Sequence, residues 1–296
     1  GANPLGFLAA LGTLRVLARA WPDRHVGLSW RQHAGAWRPV LHADGPLDGD
    51  GMLAAVAEAL SCRFDDHPAV VARRLRDKSR GPLDAGGLRR LFGEAARASS
   101  REPATVEWLA CLASDSGEDK TSQLQIVRRD YFLENLRNIV ESTKREHLRR
   151  TLLQPWDYAD SLDNQSLHWD PSEDRRYALQ WYQPSGDPTR RSGGMLGANR
   201  LAMEALPLHP IVVTTAALVT VGFTGTTTAN TRWTWPIWAV PVPLTVIGSL
   251  LRYPALQAAT PNLADLRLAG VVAACRSRRI LVEKTPNLTP PQILLP

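Results

Sequence analysis

Lysine is scarce in this chain. Of its 35 basic residues only Lys78, Lys120, Lys144 and Lys284 are lysines, so the formal charge of +6 is carried almost wholly by arginine. The planar guanidinium fork donates two parallel hydrogen bonds and suits phosphate, which makes an anionic partner an expectation. Cysteine is rarer still. Cys62, Cys111 and Cys275 are odd in number and far apart, which excludes a disulfide framework or a zinc knuckle and fits a reducing cytoplasm. Long apolar runs are missing too: the stretch 211–223 falls short of the roughly 20 residues that span a bilayer. Its threonines among Val and Leu read as a buried strand, and no membrane contact is expected. The opening helix carries Arg15 and Arg19 and lacks a small-residue cleavage site, which argues against a signal peptide.

Signatures of chemistry are equally thin. There is no Gly-x-x-x-x-Gly-Lys-Ser/Thr loop for nucleotide phosphates, no serine nucleophile elbow and no His-Glu metal helix. His25, His33, His42, His67, His147, His168 and His209 include no pair at four-residue helical spacing. A non-enzymatic protein without metal or cofactor is the expectation.

What is present begins with Asn3-Pro4, a helix cap followed by a proline in the first turn. Phe7, Leu8, Leu11, Leu14, Leu17 and Trp21 then recur at helical spacing until Pro22. The runs 25–30 and 37–42 flank a polar, glycine-containing connector and read as a hairpin, with Pro39 on an edge strand. Helices are expected near 50–60, 69–80 and 88–98, with one or two helices over 131–153, a short strand at 124–127, and either strand or helix at 106–113. From Gln154 the texture changes to aromatic anchors (Trp156, Tyr158, Trp169, Trp181, Tyr182) between polar loops, with 184–194 a flexible loop. A helix at 197–206 follows. Strands at 211–223 and 232–239 form a second hairpin around Gly225 to Asn230. A helix at 244–251 and a last strand pair, 271–276 against 280–284, close the chain. The order of elements predicts an α+β fold rather than a βαβ array, with an N-terminal helix, hairpin and helical region ahead of an aromatic-rich part built on antiparallel hairpins. With 44% apolar residues the 296 positions support one continuous domain or two, divided as 1–153 and 154–296.

Arginine clusters are the remaining signal. Arg73, Arg74, Arg76, Lys78 and Arg80 are interrupted by a single acid and are expected to line a helix and its exit. Arg128 and Arg129 sit where strand meets helix, Arg190 and Arg191 in the flexible loop, and Arg276, Arg278 and Arg279 in the last hairpin turn. Asn230, in a loop rich in hydroxyls between two strands, has the chemistry to touch a base edge. These residues are the candidate nucleic-acid contacts, the Arg73 and Arg276 groups foremost, and the plain alternative for any single pair is a solvated face or a local ion pair. The tryptophans, Trp30, Trp37, Trp233, Trp235 and Trp238 among them, alternate with apolar residues as core residues do.

Three segments carry a family likeness. The start Asn3-Pro4-Leu5-x-Phe7-Leu8-x-x-Leu11-Gly12-x-Leu14-Arg15, the stretch 109–116 followed by 124–139, and Gly197 to Pro207 with Trp235-Pro236-Ile237-Trp238 behind it resemble large-subunit-type components of type I-G (formerly I-U) CRISPR effector complexes of the Cascade kind. The resemblance implies a non-catalytic, cytoplasmic subunit of an antiviral surveillance complex. Its implied partners are guide RNA, target DNA, backbone and other subunits, and a recruited helicase-nuclease. Guide pairing would read the target, while protein reads a short flanking motif, the protospacer-adjacent motif, and holds displaced DNA. The chain is shorter than such subunits commonly are, and the matched patterns transfer no functional residue. Two alternatives stand beside this one: a structural assembly subunit without direct DNA readout, and a metal-dependent nuclease using Asp115, Glu118 and Lys120, whose surroundings have the composition of an exposed loop.

Overall fold

Asn3 caps the first helix as its side chain predicts, accepting a hydrogen bond from the Gly6 amide at 3.0 Å, with Pro4 in the first turn. A computed structural model describes residues 1–77, 81–116, 121–162, 164–173, 193–214, 217–227, 230–282 and 285–294. In it α1 runs Pro4–Ala20 and is buried from Pro4 to Leu17, so this helix is the centre of the fold rather than a surface stripe. Strands β1 (Val26–His33) and β2 (Ala36–Ala43) follow as an antiparallel hairpin, joined by Ala34 and Gly35 at φ of 49° and 75°. A two-residue turn of this hand suits the twist of the strands. Glycine adopts it freely, whereas Ala34 does so at a cost of about 1–2 kcal/mol. Pro39 lies on β2, the edge strand of a sheet ordered β2, β1, β9, as anticipated.

The helical region comprises α2 (Gly49–Ala59), two short 3₁₀ turns (Phe64–Asp66 and Pro68–Val71), α3 (Ala72–Leu75), the two-residue strands β3 (Arg76–Asp77) and β4 (Gly81–Pro82), α4 (Ala85–Ala98), α5 (Pro103–Leu112), α6 (Arg129–Ser142) and α7 (Arg145–Leu153). The helix expected over 69–80 therefore ends at Leu75. Like charges three and four residues apart, such as Arg73 with Arg76, disfavour its continuation, and Gly81-Pro82 turn the chain. The strand expected at 124–127 does not form. This segment is a loop whose Leu124, Ile126 and Val127 side chains are buried.

Helix α8 (Leu196–Glu204) is buried along its whole length and crosses α1 at very close range. A Cβ at Gly12 would overlap the Leu201 carbonyl, and one at Gly197 would overlap the His147 carbonyl of α7. Beyond it come β5 (Ile211–Val213), β6 (Leu218–Thr220), β7 (Phe223–Thr224), β8 (Arg232–Trp238), β9 (Val242–Pro243), α9 (Leu244–Leu251), α10 (Pro254–Gln257), α11 (Leu263–Leu268), β10 (Val271–Val282), β11 (Thr285–Leu288) and β12 (Gln292–Ile293). Two expectations fail here. The stretch 211–223 is not one buried strand: Thr214 closes a turn on Ala217 between β5 and β6, Gly222 at φ 89° separates β6 from β7, and Val213 of β5 is exposed. The last strand pair is one strand, β10, because Arg276 to Arg279 contain none of the Gly, Pro, Asn or Asp that turns require. Consequently β8 pairs only briefly with β7 and chiefly with β10.

The architecture is mixed α+β with antiparallel sheets. Phe7 of α1 packs among Trp30, Trp233, Trp235 and Trp238 at ring separations of 5.8–6.4 Å, joining both halves of the chain in one core. These tryptophans are packing residues, each aromatic pair adding about 0.5–1.5 kcal/mol beyond burial. Among the described residues no helix is long and apolar enough to cross a membrane.

Candidate nucleic-acid interface

Pairing of β8 with β10 sets arginine against arginine. Register places Arg232 opposite Arg278 and Thr234 opposite Arg276, so all four side chains share the sheet face away from Trp233 and Trp235. The Arg278 amide donates to Thr289 and its carbonyl accepts from the Thr289 amide, so its pairing with Arg232 is the non-hydrogen-bonded kind. In that kind Cα atoms are about 4.5 Å apart and side chains are closest. Like charges directly opposite one another destabilise a sheet. Among the described residues neither guanidinium has a carboxylate partner, and Arg278 is exposed.

Arg276 is different. It is buried and donates from Nε to Thr234 Oγ1 at 2.9 Å and from its terminal nitrogens to the Ala259 and Ala258 carbonyls at 2.7 and 2.6 Å. Burial, and then the charge of Arg232, lower its pKa below the usual arginine value. It clamps the segment after α10 onto the sheet and adds to the positive field beside the half-buried Arg232 and the exposed Arg278. Arg279 points the other way. Its backbone N–H donates to Thr231, its side chain reaches the Gln125 carbonyl at 3.4 Å, and burial lowers its pKa.

The loop before β8 is tied to the same place. Asn230 Oδ1 accepts from the Thr226 and Thr227 amides at 3.1 and 2.9 Å, which spends the carbonyl on closing the loop. Gln123 donates to Gly225 and so fastens the 121–127 loop beside it. Arg128 follows that loop, exposed and over the Tyr131 ring at 5.5 Å, and Arg129 starts α6. Of the expected contacts, the fold thus gathers Arg276, Arg278, Arg279, Asn230 and the Arg128-Arg129 junction around one end of the β8–β10 sheet. It does not bring the Arg73 group there by any described contact. Arg73 pairs with Asp65 and Arg74 with Glu94, all exposed, and Arg76 lies in β3. Lys78, Arg80, Arg190 and Arg191 lie outside the described residues, as do Glu118 and Lys120, while Asp115 is exposed in a turn.

Two further polar clusters escape sequence reasoning, the first because its members are distant along the chain. In the α1–α8 interface Glu204 accepts from His67 Nε2 at 2.7 Å, from Arg15 at 3.2 Å, and from Arg200. Arg15 also donates to Glu107 at 2.6 Å, and Arg19 shares that carboxylate. Burial opposes ionisation of Glu204, but Arg200 and His67 outweigh it and hold the carboxyl well below the ordinary range. Burial lowers the His67 pKa despite Glu204. His67 Nδ1 accepts from the Ala69 amide, so neither ring nitrogen is free to move a proton. The cluster fastens helices together.

The second cluster surrounds Glu173, whose carboxylate accepts from Ser166 Oγ at 2.8 and 2.7 Å and from His168 Nδ1 at 3.0 Å. A serine, a histidine and an acid are present, but the hydroxyl faces the carboxylate and not the imidazole, so the histidine is not placed to activate it. Among the described residues no group of three or more His, Cys, Asp or Glu could hold a metal ion. No protein-family model matches the chain, and no curated protein matches it in sequence.

Proposed function

We propose that this chain is a non-catalytic subunit of a cytoplasmic CRISPR RNA-guided surveillance complex that grips target DNA through its backbone. The observation that carries the nucleic-acid part is the Arg232–Arg278 pair: two like charges held opposite each other on a rigid sheet, backed by Arg276 and without a carboxylate among the described residues. Such a pair costs stability alone and is relieved by an anion bridging both forks. The three segments that resemble type I-G large-subunit-type proteins supply the CRISPR context, with guide RNA, target DNA, backbone subunits and a recruited helicase-nuclease as partners. In this reading the phosphates of the DNA lie across the end of the β8–β10 sheet at Arg232 and Arg278, beyond the part of that face covered by the segment after α10. The loop closed by Asn230 lies at the sheet end, where its Thr226 and Thr227 hydroxyls meet bases of the flanking motif.

Duplex and single-strand binding measured against salt tests the proposal. Arg232→Ala combined with Arg278→Ala is expected to reduce the log–log salt slope for duplex DNA by about 1.8, two phosphates' worth, across all sequences. An unchanged slope contradicts it. A second reading, an assembly subunit without DNA readout, draws on two exposed apolar side chains, Val213 at 72% and Leu268 at 88%. It predicts salt-insensitive subunit binding that is lost in Val213→Ser or Leu268→Ser.

A further inference from the structure

The β1–β2 hairpin repeats the arrangement of β8 and β10 in a form suited to a different contact. Arg31 and Arg38 are directly opposite each other, three residues before Ala34 and three after Gly35. Their side chains share a face with His33, and all three residues are exposed. From His25 to Ala43 the ribbon contains no aspartate or glutamate, and neither arginine has an ion-pair partner among the described residues. The opposite face carries Leu28 and Trp30, buried in the core, so the inner half of the ribbon is anchored. Residues 31–36 are exposed throughout.

The tip adds an independent observation. Ala34 occupies a left-handed conformation, φ 49°, that asparagine or glycine would adopt with less strain. Strain kept in this way leaves the tip with nothing larger than a methyl group, and a Cβ built on Gly35 meets no neighbour within 4 Å. An acidic protein surface has no need of a minimal tip; a confined groove floor does. Two antiparallel strands are about 4.8 Å apart, and the major groove of B-form DNA, about 12 Å wide, admits a ribbon of that size. The major groove of duplex RNA is too deep and narrow.

We propose that residues 31–38 form a basic finger that enters the major groove of double-stranded DNA, with Arg31 and Arg38 on flanking phosphates and Ala34-Gly35 at the groove floor. The inference rests on the chain being a nucleic-acid-binding subunit, but on a different element from the β8–β10 face. The probe is a mixed-sequence DNA duplex, with a duplex RNA of the same sequence for comparison, titrated against salt with the full chain. Arg31→Ala combined with Arg38→Ala is expected to lower the DNA salt slope by about 1.8. Ala34→Asn separates a binding role from a structural one: it relaxes the turn and should raise Tm, yet its added side chain should weaken DNA duplex binding about tenfold and leave RNA binding unchanged. Wild-type DNA binding that both hairpin variants retain overturns the finger and leaves the β8–β10 proposal standing. Equal losses on DNA and RNA overturn groove entry, unchanged DNA binding with lost affinity for polyglutamate reassigns the finger to an acidic protein, and a wild-type chain that binds no nucleic acid removes both proposals.

Discussion

In the α1–α8 interface Arg15 and Arg200 are 2% and 1% exposed and share the carboxylate of Glu204, while at the end of the β8–β10 sheet the half-buried Arg232 and the exposed Arg278 stand opposite each other without an acid among the described residues. The same side chain therefore holds helices together in one region and opposes folding in the other. In the buried region every charge is matched because an unmatched one would cost several kcal/mol, on the order of a sizeable part of the total stability. On the sheet the mismatch costs only about 0.2–1 kcal/mol, small enough to retain if an anion relieves it. A local rule is broken twice, at Arg232–Arg278 and again at Arg31–Arg38, and in the proposal both places are kept to bind an anion.

The contrast breaks most visibly in the interior. Glu204→Ala leaves Arg15 and Arg200 facing each other in the core and is expected to cost about 3–5 kcal/mol in urea unfolding, with Glu204→Gln, which keeps acceptor capacity, costing less. A loss below about 1 kcal/mol would mean that the network is not what joins the helices. Acid should next separate the two regions. His209 is buried, its Nδ1–H donates to the Val221 carbonyl, and burial pushes its pKa down to about 4 from 6.5. A depressed histidine means that the unfolded chain binds the extra proton. Stability is thus full above about pH 6.5 and falls as pH drops toward 4, by about 3 kcal/mol for this group. His67, lowered by burial as well, contributes in the same direction. His209→Gln should flatten the pH dependence of the urea midpoint across that window, and an unaltered slope would show that His209 is not the group responsible. The smallest effect is expected at the exposed pairs Arg73–Asp65 and Arg74–Glu94. Solvent screens both, so Arg73→Ala with Arg74→Ala should leave Tm unmoved, and a clear drop would place these arginines with the interior network.

Local chemistry made part of this legible. Asn3 and Pro4 announce α1, and the period of its leucines announces its burial. The polar connector 32–36 between the runs 25–30 and 37–42 announces the hairpin, but the turn is only Ala34-Gly35, and the opposition of Arg31 and Arg38 emerges only from that tighter register. Gly12 and Gly197 stand where helices approach too closely for a side chain. Long-range pairing was not legible. Arg15 and Glu204 are 189 residues apart and His67 and Glu204 are 137, and nothing local indicates that they meet. The same holds for β8, whose nearest neighbour in sequence suggested a hairpin while its main partner, β10, lies beyond three helices. Arg276, Arg278 and Arg279 were visible as a cluster, but alternation along one strand sends them to different fates: clamped, exposed and turned inward.

Arg278→Thr, followed in parallel by thermal unfolding and by duplex DNA affinity, tests most directly whether the sheet arginines serve binding at the expense of stability. The expected result is a Tm equal to or above that of the wild type together with weaker, less salt-sensitive DNA binding. A lowered Tm with unchanged affinity would contradict it.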